Sequence, residues 1–111
     1  MTSRSAYILL ALALTLAIAA APAWAADATA GKAVYTSKCQ VCHAADGSGN
    51  QNLAKAMSVT LRPLGSAEVQ GMSDDELKKV ITAGKGKMKP VSGVSGADAD
   101  NVVAYIRTLK K

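Results

Sequence analysis

The stretch Cys39-Gln40-Val41-Cys42-His43 constrains this chain more than any other part of its sequence. Two thiols three positions apart lie about one helical turn from each other, so each can bond to one vinyl group of the same porphyrin. The imidazole of His43 then comes directly under the ring, where a nitrogen can bind the iron. The stretch therefore predicts one haem c attached through Cys39 and Cys42, with His43 as an axial ligand of the iron.

Three other kinds of site use the same residue types. A thioredoxin-like redox pair needs a βαβ setting, and no strand-like run of branched residues leads into Cys39. A structural zinc site needs four ligands, whereas the chain contains two cysteines and one histidine in all. A disulfide between Cys39 and Cys42 would close a very short loop and leave the adjacent histidine without a role. Haem attachment is favoured because it uses all three residues.

The first 25 residues have the pattern of an export signal. Residues 1–4 carry one positive charge, and residues 6–21 form an almost unbroken apolar run. Ala23 and Ala25 fit the small-x-small rule for cleavage. We therefore expect a signal peptide over residues 1–25, cleavage after about Ala25 and location in the periplasm. An uncut membrane anchor is the alternative, although the apolar run is short for a membrane span.

The chain has 111 residues, enough for a single domain, which we place at residues 26–111. After removal of the signal, Tyr35 and Tyr105 are the only aromatic residues, because the sequence contains no Phe. A small domain of this composition buries little of its surface and has a thin core. A porphyrin is a large apolar plate that can fill such an interior. The composition therefore favours haem independently of the attachment residues.

The charge of the chain is modestly basic. The full sequence has a formal charge of +5, and removal of Arg4 leaves +4. Nucleic acid is a poor explanation, because an exported protein rarely meets it and no basic stripe alternates with aromatic residues. An acidic protein partner is favoured.

Capping residues and apolar spacing predict four helices, over residues 28–38, 51–57, 74–83 and 97–110. Asp27 caps the first helix, whose Ala30, Val34 and Tyr35 are predicted to face inward. Gly31 within it predicts the close approach of another helix, because glycine is otherwise unfavourable in a helix interior. Pro63 predicts an extended loop over residues 58–70.

The third predicted helix has the clearest boundaries. Ser73 and Glu76 form a capping box, and Met72 and Leu77 stand where a hydrophobic staple belongs. Gly84 follows the last helical residue. The staple gives Met72 a structural role, which makes it a weaker candidate for binding iron.

A basic, glycine-containing loop over residues 84–90 surrounds Met88 with charged residues. The thioether is a soft ligand suited to haem iron, and a His/Met pair favours electron transfer over oxygen chemistry. We therefore predict Met88 as the second axial ligand. Met57 is the main alternative ligand, and an ordinary packed methionine also remains open.

Taken in order, these residues resemble a small bacterial class I monohaem c-type cytochrome over the whole of residues 26–111. The resemblance depends on the haem-attachment stretch after an N-terminal helix, Gly31 and Tyr35 in that helix, Met88 shortly before a proline, and Tyr105 in the last helix. It implies an all-α, class I cytochrome c fold of about four helices wrapped around one covalently attached haem. It also implies an exposed haem edge ringed by lysines, here Lys38, Lys85, Lys87 and Lys89.

Two details of the family pattern differ or stay open. The ligand methionine is usually followed directly by proline, whereas here Lys89 separates Met88 from Pro90. The family also implies a backbone carbonyl that accepts a hydrogen bond from the haem-ligating histidine, either that of Pro63 or one near Asn52 or Leu53.

The leading functional hypothesis is a soluble periplasmic electron-transfer protein, not an enzyme, that moves single electrons between redox partners with acidic docking surfaces. It predicts no nucleic-acid partner and no stable membrane insertion after signal cleavage. A second hypothesis is a haem protein that binds gas or peroxide, with Met88 weakly bound or displaced. A third is an exported thiol-disulfide protein without haem.

Overall fold

A computed structural model of the protein describes residues 25–111, and their regular structure is helical. Six segments follow in order: α1 (Ala28–Lys38), α2 (Gln40–His43), α3 (Gln51–Met57), α4 (Ala67–Gln70), α5 (Asp74–Ala83) and α6 (Ala97–Thr108). The predicted all-α class is confirmed. None of the helices in this part of the chain has both the length and the apolar character needed to cross a membrane. The predicted signal peptide lies outside the described residues, apart from Ala25.

Helices α1 and α6 pack together at Gly31. A Cβ atom built on this glycine would lie 1.9 Å from the carbonyl oxygen of Asn101, far inside contact distance. Asp27 caps α1 as predicted, since its carboxylate accepts a hydrogen bond from the backbone N–H of Thr29 at 2.8 Å. The backbone N–H of Asp27 in turn donates to the side chain of Asn101 at 2.8 Å. The prediction that Gly31 permits a close helix approach is confirmed.

The buried face of α1 differs from the predicted one. Tyr35 is almost fully buried, with 1% of its surface exposed, and Val34 is half-buried against the core. Ala30 is exposed, so its predicted inward position is wrong. The crossing at Gly31 directs the face that carries Gly31 and Tyr35, four residues apart, toward α6.

Helix α5 begins and ends where its sequence predicts. The hydroxyl of Ser73 accepts a hydrogen bond from the backbone N–H of Glu76 at 3.1 Å. Leu77 and Ile81 are buried one turn apart. The helix ends at Gly84, which adopts a φ of +79°. This end determines where the loop that carries Met88 starts.

The loop predicted over residues 58–70 contains a helical turn that the sequence did not predict. Ser66 caps α4 by accepting a hydrogen bond from the backbone N–H of Val69 at 3.4 Å. The side chain of Gln70 then donates to the carbonyls of Leu64 at 2.8 Å and Ile106 at 3.0 Å. Four residues are too few to show helical periodicity, so the pattern could not reveal this turn.

The core lies between α5, α6 and the segments next to them. It contains eight buried apolar residues: Val69, Leu77, Ile81, Val94, Ala99, Val102, Val103 and Ile106. Helix α6 contributes half of them and ends at Thr108, two residues before its predicted end at Lys110. One side of this core opens into a cavity, which is described next.

Candidate functional site

A cavity of about 380 Å³ contains all four side chains that the sequence predicts to hold a haem. Cys39, Cys42, His43 and Met88 line it together. Most of the remaining wall is apolar and includes Leu53, Val59, Leu61, Leu64, Leu77 and Ile81. The fold thus brings residues from two distant parts of the sequence to one apolar space. The two thiols, the imidazole and the thioether of these four side chains fit a c-type haem.

A single helical turn holds the two thiols and the imidazole. Cys39 follows α1 directly, and its backbone N–H donates to the carbonyl of Tyr35 at 2.8 Å. The backbone N–H of His43 donates to the carbonyl of Cys39 at 3.0 Å, which closes the turn. Both thiols are free. A helix rather than a strand precedes Cys39, which is not the setting of a thioredoxin-like pair.

The imidazole of His43 is suited to metal binding. Its Nδ1 atom is buried and has no hydrogen-bond partner among the described residues. Burial lowers the pKa of His43, which favours the neutral ring that can donate a lone pair. No carbonyl near Pro63, Asn52 or Leu53 accepts a hydrogen bond from Nδ1, so the predicted partner is not found for that atom. The carbonyl of Pro63 instead accepts from the backbone N–H of Ser66 at 3.0 Å.

A tight turn holds Met88 at the cavity. The backbone N–H of Lys85 donates to the carbonyl of Met88 at 2.8 Å, and the N–H of Met88 donates back at 3.0 Å. After the turn, the backbone N–H of Val91 donates to the carbonyl of Ile81 at 2.9 Å. The far end of the loop is thereby fixed to α5, the helix that the loop follows. Lys89 before Pro90 does not prevent the loop from bringing Met88 to the cavity.

Two other methionines also line the cavity, Met57 and Met72. Met57 lies at the end of α3 with 37% of its surface exposed. Met72 packs against the core, and its carbonyl accepts a hydrogen bond from the guanidinium of Arg107 at 2.6 Å. Met72 thus has the structural role that its staple position predicts. The half-buried Met88 is the methionine placed on a loop of its own at the cavity wall.

The four lysines that the family resemblance implies around the haem edge do not all lie at the cavity. Lys85 and Lys87 line it. Lys38 lines a separate groove together with Val34 and Val94. Lys89 is exposed and lines neither space. The complete lysine ring around the haem edge stays a prediction, and two of its four members line the cavity.

Lys87 also makes a contact that the sequence did not predict. Its ammonium group donates a hydrogen bond to the backbone carbonyl of Met57. The contact joins the Met88 loop to the end of α3, across the cavity wall. These residues are 30 positions apart, so no local sequence pattern could have revealed it.

Arg107 is a second residue whose role the sequence did not predict. Its guanidinium donates to the carbonyl of Gln70 at 2.8 Å and to the carboxylate of Asp74 at 2.8 Å, besides its bond to Met72. It thereby ties α6 to the segment between α4 and α5. Because Met72 lies in that segment and lines the cavity, Arg107 stabilises one wall of the site from outside.

Comparison with known proteins identifies the family. The family model described as cytochrome c oxidase, cbb3-type, subunit III matches residues 26–106. The chain belongs to this cytochrome c family. Cytochrome c-554(547) of Halothiobacillus neapolitanus is 36% identical over 91 residues, covering 78% of this chain and all of that protein. Cytochrome c6 of Picosynechococcus sp. (strain ATCC 27264 / PCC 7002 / PR-6) is 35% identical over 107 residues, covering 88% of this chain and 90% of that protein.

A solved structure supports the same assignment. The c-type cytochrome KustC0563 is similar with a TM-score of 0.62 and 26% sequence identity, covering 73% of this chain and 98% of that one. The predicted resemblance to small c-type cytochromes and the class I cytochrome c fold are confirmed. As a member of the cytochrome c family, the chain is a haem protein that functions in electron transfer. The family implies haem c as its cofactor.

Proposed function

We propose that this protein is a periplasmic carrier of single electrons that holds one haem c. In this proposal Cys39 and Cys42 would hold the haem through two thioether bonds, and His43 and Met88 would be the protein ligands of its iron. The observation that carries the proposal is the lining of one apolar cavity by all four side chains. The bound haem supplies an iron that changes between its ferric and ferrous states.

The residues around the cavity suit an electron carrier in three ways. The apolar wall excludes water and so influences the reduction potential. The α2 turn and the Lys85–Met88 turn hold His43 and Met88 on backbone hydrogen bonds, which limits how far either ligand moves when the charge of the iron changes. Two protein ligands also leave no open position for a substrate, which is why we propose a carrier and not an enzyme.

The residue counts support a carrier with one haem. The whole chain contains two cysteines and one histidine, enough to attach and ligate a single haem. The chain covers all of cytochrome c-554(547) and 90% of a cytochrome c6. The description of the matching family names an oxidase subunit, so a subunit of a larger complex is the second candidate.

Export and docking complete the proposal. We propose that residues 1–25 are a cleaved signal peptide and that residues 26–111 function in the periplasm as a domain that does not insert stably into the membrane. Lys85 and Lys87 at the cavity wall give this side of the molecule positive charge. Such charge would steer a redox partner with an acidic surface toward the site and would be screened by salt. No role with nucleic acid is proposed.

Optical spectra of the protein exported by cells that attach haem c test the proposal. Colour that stays with the polypeptide after acid-acetone extraction is expected from covalent attachment. The ferric protein is expected to show the weak far-red band of methionine-ligated iron, and Met88→Ala should abolish it. Met57→Ala and Met72→Ala are the matched controls and should keep the band.

Each other outcome points to a different hypothesis. A far-red band that survives Met88→Ala but is lost in Met57→Ala or Met72→Ala would assign the ligand to that methionine. Bound colour without the band, together with rapid binding of carbon monoxide or cyanide, would favour a protein that binds gas or peroxide. A colourless polypeptide would exclude haem and favour the thiol-disulfide hypothesis.

A further inference from the structure

Tyr35 connects α1 to the residue that follows His43. Its phenol is almost fully buried, and its hydroxyl donates a hydrogen bond to the carbonyl of Ala44 at 2.5 Å. Ala44 comes directly after His43 and ends α2. The peptide unit on which this hydroxyl acts is thus one residue from the imidazole.

Ala44 adopts a backbone conformation that alanine rarely takes. Its φ is 63° and its ψ is 164°, a combination populated essentially by glycine. Its N–H donates to the carbonyl of Gln40 at 2.9 Å, and its own carbonyl also accepts from the N–H of Gly47 at 3.2 Å. Such a conformation persists only where the surrounding contacts hold it. The hydroxyl of Tyr35 is the contact that reaches Ala44 from another helix.

The rest of the Tyr35 side chain is fixed by packing. Its ring centroid lies 5.0 Å from that of Tyr105, with an angle of 58° between the ring planes. Burial is the main cause that raises the pKa of Tyr35 to about 12. The phenol therefore stays protonated near neutral pH and keeps its hydrogen to donate.

We propose that Tyr35 is a positioning residue for His43, because its hydroxyl holds the carbonyl of Ala44 and thereby the backbone orientation of the preceding histidine. This inference rests on the proposed function, in which His43 binds the haem iron. Tyr35 acts through Ala44 and is not itself a ligand. Phenylalanine would fill the same space against Tyr105, so the role belongs to the oxygen atom and not to the ring.

The chain offers a matched control within the same ring pair. Tyr105→Phe removes a phenol hydroxyl that has no hydrogen-bond partner in the described part of the chain, whereas Tyr35→Phe removes the one bonded to Ala44. Both variants keep the two aromatic rings in contact. A difference between them therefore reports the Tyr35 hydrogen bond and not the loss of aromatic packing.

The experiment compares the wild-type protein and the two variants as exported, haem-containing chains. Proton NMR of the ferric protein gives the paramagnetic shifts of the haem methyl groups, whose pattern depends on the orientation of the imidazole plane. We expect Tyr35→Phe to change this pattern and Tyr105→Phe to leave it as in the wild type. Urea titration should show a loss of about five- to thirtyfold in the folding equilibrium constant for Tyr35→Phe, since a buried hydrogen bond is removed.

The possible results separate this inference from the proposed function. A wild-type spectrum without histidine-ligated haem would refute the proposed function. Normal ligation in the wild type with the same methyl pattern in all three proteins would overturn the role of Tyr35. A stability loss in Tyr35→Phe without a changed pattern would also overturn it, because the hydrogen bond would then stabilise the fold without positioning His43.

A second background keeps the test decisive if Tyr35→Phe yields no haem-containing protein. Ala44→Gly allows the observed φ without strain and should offset part of the lost stability. The methyl pattern is then compared between Ala44→Gly and the double variant Ala44→Gly/Tyr35→Phe. A difference supports the positioning role, and identical patterns overturn it.

Discussion

Gly84 lies against the carbonyl of Met88 so closely that a Cβ atom on the glycine would be 2.6 Å from that oxygen. The same Cβ atom would lie 2.9 Å from the backbone nitrogen of Pro90. The φ of +79° at Gly84 is a second obstacle to any larger residue. The end of α5 and the position of Met88 are therefore determined at one glycine.

Gly84→Ala is expected to destabilise the protein by about 2–3 kcal/mol, because it adds both a backbone clash and an unfavourable φ. It should also weaken or abolish the far-red band of methionine-ligated iron. Gly86→Ala is the control, since Gly86 has a φ of +58° but no atom within 4 Å of its added Cβ. Urea unfolding and the ferric spectrum measure both effects. An unchanged band in Gly84→Ala would show that the loop can shift without moving Met88 from the iron.

Gly31→Ala tests the crossing of α1 and α6. The added Cβ would lie 1.9 Å from the carbonyl oxygen of Asn101, so the helices must separate. We expect a loss of about 3 kcal/mol or more, at the upper end of overpacking effects. Lys32→Ala, at an exposed neighbouring position, should change stability by less than about 0.5 kcal/mol. Equal midpoints of thermal unfolding for the two variants would contradict the close crossing.

Lys87→Ala is expected to loosen the Met88 loop, because it removes the hydrogen bond from Lys87 to the carbonyl of Met57. Cyanide should then bind the ferric protein about fivefold faster, as expected for the loss of one hydrogen bond. Lys89→Ala removes the same charge from an exposed lysine of the loop and should leave the cyanide rate unchanged. The salt dependence of electron transfer should change equally in both variants, since each loses one positive charge. Equal cyanide rates in the two variants would show that Lys87 contributes only to the docking of a redox partner.

Stability at high pH should depend on Tyr35. Burial raises its folded-state pKa from 10.0 to about 12, so the folded protein retains a proton that the unfolded chain loses. This stabilisation is fully present below pH 10 and is lost as the pH rises toward 12, by about 2–3 kcal/mol. Tyr35→Phe should remove this part of the decline, whereas Tyr105→Phe should keep it. The measurement is urea unfolding of the wild type and both variants between pH 9 and 12. If the free energy of unfolding declines equally with pH in all three proteins, the prediction is wrong.

Ala44→Gly is expected to stabilise the protein by about 1 kcal/mol. Glycine adopts a φ of 63° without the steric penalty that alanine carries. Ala45→Gly is the control, because Ala45 has no positive φ and the substitution only adds freedom to the unfolded chain. Thermal unfolding of the two variants should therefore shift in opposite directions. A lower midpoint for Ala44→Gly would show that the alanine is not strained.

Local patterns predicted the helices well where the capping residues are strong. Asp27 and Ser73 each cap the helix that the sequence assigned to them. These signals act over three or four residues, so they can be recognised without the fold. The inward position of Ala30 was wrong because a close crossing at Gly31, which depends on a residue 70 positions away, decides which face is buried.

The residues proposed to hold the haem could be chosen from the sequence, but the contacts that support them could not. Cys39, Cys42, His43 and Met88 were recognised by chemical type and spacing, and the fold brings all four to one cavity. The hydrogen bonds of Lys87 and Arg107 join elements that lie far apart in the sequence. The hydrogen bond of Tyr35 joins α1 to Ala44, the residue at which α2 ends. The unusual φ of Ala44 has no sequence signature, since alanine is common in ordinary helices.

Several residues belong both to the core and to the cavity wall. The shared residues are Val69, Leu77, Ile81, Val102 and Ile106. Folding of the polypeptide and attachment of its cofactor are consequently coupled, because the same side chains must be covered in both processes. A chain that misses its cofactor would present this apolar face to proteases and chaperones. The supply of haem would then determine how much of this protein a cell accumulates, in addition to how much of it is active.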